Sequence, residues 1–244
     1  MSRLPIYAHR GASAYALENS FTAFVKAKEM GADGLEIDLQ LTKDGVPIVT
    51  HDIDFWRLAG NPKKVSDLLL EEAQKIKLGK RRFWRKINGE QVMTFEEVLQ
   101  FAIRNSLKLN VELKESFLTA NDSAYLIFAR SFEGIDIHFS SFHYEVLERI
   151  KKINHSLETA FIGTKKLNWQ QLSFLAAADA IHVHKRYYKK ENLDLAEQSL
   201  KKVRFYGIDG KESFIINPHP VVAGWITDYP DVVLKKQKGI SMSK

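Results

Sequence analysis

Strand-like and helix-like segments alternate along nearly the whole chain, and this rhythm constrains the fold more than any other feature. Strand-like runs lie at residues 4–9, 34–42, 107–114, 135–141, 157–162, 180–184, 203–208 and 223–227. Helical spacing of apolar residues fills most of the intervals: Phe21, Phe24 and Val25 behind a cap at Asn19 or Ser20, then segments near 94–105, 121–132, 143–153, 168–177 and 191–201. Eight strands on one path, most of them separated by helices, predict a parallel (β/α)8 TIM barrel. The length of 244 residues suits one such domain spanning 1–244. Residues 46–50 add a hairpin to the second strand through Lys43-Asp44-Gly45. Residues 53–91 break the rhythm and are expected to be a small insertion after that strand. A last segment, 210–220, carries Pro218 and Pro220 and is too interrupted for a full helix.

Composition narrows the chemistry. The chain has no cysteine, which excludes disulfides, thiolate metal sites and a cysteine nucleophile. With 36 basic against 30 acidic side chains it carries +6, which favours anionic partners. No run approaches the ~18 apolar residues of a membrane span. The first ten residues lack the apolar core of a secretory leader, so the expected location is cytoplasmic.

In a barrel of this type functional groups sit at the C-terminal ends of the strands, and the polar residues gather there. His9 and Arg10 end the first strand. Glu36 and Asp38, two apart, share one face of the second, while Leu35, Ile37 and Leu39 take the other. Glu112 and Lys114 repeat the pattern on the third. Three carboxylates without a thiolate form a hard oxygen site suited to a divalent cation, Mg²⁺ or Ca²⁺. Arg10 offers a planar fork and Lys114 a point charge for phosphoryl oxygens. His9 and His51 supply the acid and base that phosphodiester cleavage requires near neutral pH.

These residues fall in motifs, His9-Arg10-Gly11, Glu18-Asn19-Ser20, residues 31–38, Thr42-Lys43-Asp44-Gly45, His51-Asp52, residues 111–114, Ser140-Ser141-Phe142 and residues 226–230. Together they resemble the glycerophosphodiester phosphodiesterase family. The resemblance implies a barrel hydrolase that cleaves small-molecule glycerophosphodiesters to sn-glycerol 3-phosphate and an alcohol with a divalent cation. It implies metal ligands at Glu36, Asp38 and Glu112, a catalytic pair at His9 and His51, and phosphate contacts at Arg10 and Lys114. The expected chemistry passes through a cyclic phosphate, with His9 as base and His51 as acid in the first step, the assignment being open to reversal. Leu17 stands for the family's proline and Ser20 for its threonine. Tyr206-Gly207-Ile208-Asp209 replaces Trp-Thr-Val-Asn, so Tyr206 inherits the tryptophan's place in the substrate pocket.

Other readings stay open at this stage. One is a lysophospholipase D acting on acylated substrates. Another is a catalytically weak barrel that binds phosphate metabolites or an anionic membrane. His182 and His184 share a strand face but have no carboxylate companion, which marks them as pocket wall or core. Ser140 and Ser141 belong to polar packing or the pocket. The basic aromatic run 80–86 reads as a solvated insertion, with weak contact to anionic lipid as its functional alternative; nucleic acid is not an expected partner. Nothing in the pattern specifies an oligomeric state.

Overall fold

The computed structural model describes residues 3–79 and 89–239. Eight parallel strands close on themselves: β1 (Ile6–His9), β2 (Gly34–Leu41), β6 (Lys108–Leu113), β7 (Ile137–Ser141), β8 (Glu158–Ile162), β9 (Ala180–His184), β10 (Lys202–Tyr206) and β11 (Val222–Thr227). Closure comes from β1, which pairs with β2 on one side and β11 on the other. The short strand β3 (Pro47–Val49) runs antiparallel to the end of β2, Leu39 opposite Val49, which is the expected hairpin. The basic aromatic run 80–86 lies outside the described residues.

Period-two alternation sorts each strand's side chains between two environments. Outward, Leu35, Ile37, Leu39, Leu109, Val111 and Leu113 pack beneath the helices Phe21–Glu29 and Phe95–Arg104. On the opposite side of the barrel, Ile181, Val183, Val203, Phe205 and Trp225 pack with Leu193, Ala196 and Val233 from the helices Lys190–Gln198 and Pro230–Gln237. Inward, Glu36, Asp38, Asn110, Glu112, His138, Ser140, His182 and Arg204 are all buried. The barrel is therefore filled by polar side chains. Deep inside, Tyr7, His138 and His182 meet edge to face, and Arg204 ion-pairs with Glu158 at 2.7 Å. Burial and the Arg204 charge keep both histidines neutral.

Helix starts follow local chemistry. Ser20 caps the first helix by accepting from the Ala23 N–H at 3.2 Å, which leaves Asn19 for another task. Thr94 and Glu97 form a capping box. Two expected helices are corrected. The segment 121–132 is α-helical only over Asp122–Tyr125 and continues as a 3-10 turn, Leu126–Ala129; the segment 168–177 is a 3-10 helix, Trp169–Phe174. In each, the residues turned to the core are three apart: Tyr125 with Phe128, and Trp169 with Leu172 and Leu175. A spacing of three suits 3-10 geometry better than the α-helix. Between β10 and β11 stands only the short turn Ser213–Ile215, as its prolines require.

After β3 the chain makes a small two-stranded sheet, β4 (Asp54–Phe55) with β5 (Asn61–Lys64), around the short helix Trp56–Ala59. Leu70–Gln74 forms a short helix where the sequence suggests a longer one, 67–76. Phe55, Leu58, Val65, Leu68, Ala73 and Leu78 bury a separate apolar cluster against Ile48 and Val92. Among the described residues no helix is long and apolar enough to cross a membrane.

Candidate active site

The parallel register brings the ends of β1, β2 and β6 level. His9 lies beside Glu36, and Asp38 beside Glu112. Alternation turns all of these side chains toward the barrel axis. A cavity of about 230 Å³ opens there, and its walls include His9, Arg10, Glu36, His51, Glu112, Lys114 and Tyr206. Of the predicted site residues only Asp38 is absent from the wall. It lies fully buried behind it, yet it offers a carboxylate oxygen within 4.8 Å of one from each of Glu36 and Glu112.

The carboxylate cluster is only partly neutralised by its neighbours. Lys114 donates from Nζ to Glu112 Oε1 at 2.6 Å and stands 3.6 Å from Asp38 Oδ1. Arg10 Nε lies 3.1 Å from Asp38 Oδ2, and Asn19 donates to the same oxygen at 2.9 Å. Burial pushes the Asp38 carboxyl up, but Arg10, Lys114 and the Asn19 hydrogen bond outweigh it and hold the group below the usual carboxylate range. Glu36 is pushed up to about 6 by burial and by Asp38. Glu112 is pushed up to about 8 by burial and by the two other carboxylates. The buried Asp38 Oδ1 has no hydrogen-bond donor. Three converging oxygens, two of them unable to ionise comfortably, fit a hard divalent cation.

Each histidine is oriented by a carboxylate on Nδ1. His9 pairs with Asp228 Oδ1 at 2.6 Å, and Ser13 also donates to that oxygen at 2.9 Å. His51 pairs with Asp52 Oδ1 at 2.8 Å. An Nδ1 engaged in this way leaves Nε2 for the cavity. Burial works against charge on His9, but Glu36 and Asp228 more than offset it and raise the group to about 9.

The turn after β1 carries backbone strain at residues beside the site. Arg10, Gly11 and Asn19 have φ of 56°, 80° and 53°. A Cβ on Gly11 would lie 2.7 Å from that of Ala23, so the left-handed turn can press against the first helix only with glycine there. The Arg10 N–H donates to the Glu36 carboxylate at 3.0 Å, and the Asn19 N–H donates to the Arg10 carbonyl at 2.9 Å. The strained segment thus pins two loops to the carboxylate cluster.

Tyr206 is half-buried at the cavity wall, edge to face with His184 at 5.5 Å. Phe142 stands on the wall as well, with Lys114 Nζ 5.8 Å from its ring centre. Asp209 points away into a salt bridge with Lys185 at 3.0 Å, so the acid in place of the family's amide is neutralised outside the cavity. His182 is a wall residue of the cavity and His184 packs on Tyr206, in keeping with a wall or core role. Ser140 Oγ donates to Asn110, and Ser141 Oγ to the Leu113 carbonyl, which accounts for both serines as barrel packing. Asp228, Asp52 and Glu18 had no individual role legible in the sequence, although each stands within a quoted motif, and Asn19 was legible only as a candidate cap, a task that Ser20 performs. For Asp52 the signal was its adjacency to His51. Asp228, 219 positions from His9, had none.

Comparison with known proteins places this geometry. Residues 9–232 match the model of the glycerophosphoryl diester phosphodiesterase family. A glycerophosphodiester phosphodiesterase of Caldanaerobacter subterraneus subsp. tengcongensis is 30% identical over 234 residues, covering 94% of this chain and 96% of that protein. The fold is similar to that of an Oleispira antarctica phosphodiesterase solved with the product sn-glycerol-3-phosphate, with a TM-score of 0.81 at 22% identity over 96% of this chain and 97% of that one. It is also similar to a glycerophosphodiester phosphodiesterase of Agrobacterium tumefaciens, with a TM-score of 0.79 at 21% identity over 94% and 98%. The chain belongs to the glycerophosphoryl diester phosphodiesterase family of enzymes.

Proposed function

We propose that this enzyme hydrolyses small glycerophosphodiesters to sn-glycerol 3-phosphate and an alcohol, using a divalent cation and the pair His9 and His51. One observation carries the reading: a buried carboxylate triad, two carboxylate-oriented histidines and two cations all meet at one small cavity. Glu36, Asp38 and Glu112 would hold the cation, which when bound stabilises negative charge on phosphoryl oxygen and acidifies a nearby hydroxyl. Arg10 and Lys114 contribute positive charge beside the same position. Tyr206 and Phe142 form the wall on which the substrate packs.

The charges around His9 support one order of proton transfer. Carboxylates on both sides of His9 favour its protonated form, which suits an acid. In the first step His51 takes the proton of the neighbouring glycerol hydroxyl, whose oxygen bonds to phosphorus. The bond from phosphorus to the alcohol oxygen breaks, and that oxygen leaves with the proton of His9. Water then opens the cyclic phosphate with the roles exchanged, which restores both histidines. The opposite order, with His9 as base and His51 as acid in the first step, uses the same two groups and balances equally. A cavity of about 230 Å³ whose wall sets Phe142, Ile162, Tyr206 and Ile226 beside the charged side chains has both a polar end and an apolar side for a glycerophosphodiester.

The test is release of sn-glycerol 3-phosphate from glycerophosphocholine and glycerophosphoethanolamine by purified protein with Mg²⁺, Ca²⁺ or EDTA, beside His9→Ala. Metal-dependent release that disappears in the variant is the expected result. Intact substrate under every condition would reject the proposed activity.

A further inference from the structure

Arg57 is the most heavily committed charged residue near the site that the proposed chemistry does not use. It sits on the short helix Trp56–Ala59, outside the barrel. Phe55 and Leu58 on either side of it are buried in the apolar cluster beneath, Trp56 N donates to Asp54 at 2.8 Å, and Gly60 closes the turn with φ 65°. Arg57 itself is exposed, and its guanidinium grips two carboxylates. Nε donates to Asp52 Oδ2 at 2.7 Å, while Nη1 and Nη2 form a fork on Glu18 Oε2 and Oε1, both at 2.7 Å.

Each carboxylate passes the constraint on to a site residue. The other oxygen of Asp52 holds His51 Nδ1 at 2.8 Å. Glu18 Oε1 accepts from Arg10 Nη1 at 2.9 Å, and Arg10 Nε stands against Asp38 at 3.1 Å. An unbroken chain of polar contacts, the His51–Asp52 hydrogen bond and then ion pairs, thus runs from His51 through Asp52, Arg57, Glu18 and Arg10 to Asp38. A planar fork with three donors in fixed directions can set both carboxylates at once; a lysine point charge cannot. Without Arg57 the two carboxylates would also lose their shared counter-ion, and both are held below the ordinary carboxylate range with Arg57 among the causes.

We infer that Arg57 is a positioning residue with two arms, one setting the His51 ring through Asp52 and the other setting the Arg10 guanidinium through Glu18. The inference rests on the phosphodiesterase reading of the site and deepens it. The small sheet and helix that follow β3 then serve as the mount for this clamp.

The two arms predict separable kinetic effects. Arg57→Ala is expected to lower kcat and to raise KM for glycerophosphodiester, each on the order of 10-fold, because small misplacements of reacting groups are costly. In an Asp52→Ala background the kcat effect of Arg57→Ala should vanish while the KM effect persists. In a Glu18→Gln background the reverse should hold. Arg57→Lys should recover only part of the loss, and added guanidinium should restore rate to Arg57→Ala. A clamp that only stabilised the fold would lower the melting temperature and give neither the split nor the rescue. Titration of inorganic phosphate into Mg²⁺-loaded protein reads the Arg10 arm without turnover, and Arg57→Ala should bind phosphate about 10-fold more weakly. Unchanged kcat, KM and phosphate affinity, or a change confined to one arm, would overturn the inference. If the wild-type protein hydrolyses no glycerophosphodiester, the proposed activity falls by itself; the phosphate titration then decides the Arg10 arm, and the imidazole NMR signals of His51, which Arg57→Ala should shift, decide the other.

Discussion

His9 and His51 are chemically alike and differ in their surroundings. His9 is flanked by Glu36 and Asp228, whereas the Asp52 carboxylate that orients His51 is shared with Arg57. Replacing either histidine with alanine should lower kcat by at least about 100-fold with little change in melting temperature, since acid-base catalysis contributes roughly that much or more. Steady-state kinetics and thermal melts on both variants check this; a near-wild-type rate in either would exclude the two-histidine scheme. Glu112 makes a different prediction. Its carboxylate already shares Lys114 Nζ, so Glu112→Gln should keep the fold while raising the Mg²⁺ concentration for half-maximal activity on the order of 10-fold. A metal titration superimposable on that of the wild type would remove Glu112 from the ligand set.

At the scale of elements, the turn after β1 combines a positive φ with close contact to both the side chain and the backbone of the first helix. Gly11 and Gly45 both have positive φ, 80° and 77°, but a Cβ at Gly45 would meet nothing within 4 Å, whereas one at Gly11 would collide with Ala23 side chain and backbone. Gly45→Ala should therefore cost only the conformational strain, about 1 kcal/mol. Gly11→Ala should cost at least about 1–3 kcal/mol more through overpacking. It should also reduce activity, because Arg10 and the Arg10 N–H contact to Glu36 move with the turn. Urea unfolding of the pair separates the two terms, and equal losses would show that the Ala23 contact relaxes freely. Period-two alternation in β2 and β6 was legible because each has one wholly apolar face. The 3-10 segments were not, because a pattern of apolar residues three apart also fits one face of an α-helix over such short runs.

For the whole molecule, closing the barrel concentrates acidic groups that burial makes reluctant to ionise. Without metal, folded Glu112 keeps a proton up to about pH 8, while in the unfolded chain it releases it near its ordinary 4.5. Folded His9 likewise holds its proton to about 9 against an ordinary 6.5. Below about pH 7 the buried neutral His138 and His182 act the other way, since they take up protons on unfolding; above it Glu112 and His9 leave the folded state with more bound protons, so stability falls as pH rises from about 7 to 9. Thermal melts in EDTA should show a declining midpoint from about pH 7 to 9. Mg²⁺ should flatten that decline and release protons on binding near pH 7, since it favours the ionised carboxylates. A midpoint in EDTA that rises between about pH 7 and 9 would contradict the arrangement.

The sequence by itself determined the barrel, the inward faces of β2 and β6, and the family, because alternation and motif spacing are local properties that survive reading along one dimension. His9, Arg10, Glu36, Asp38, His51, Glu112, Lys114 and Tyr206 were legible for that reason, and the structure brings them to one place. Only the tertiary structure decided which groups orient them. Asp228 reaches His9 because β11 closes against β1, and Glu18 meets Asp52 on Arg57 because the loop after β1 and the segment after β3 converge at the rim. Such partnerships depend on side-chain direction and chain closure across long sequence separations, and no periodicity in the chain encodes them.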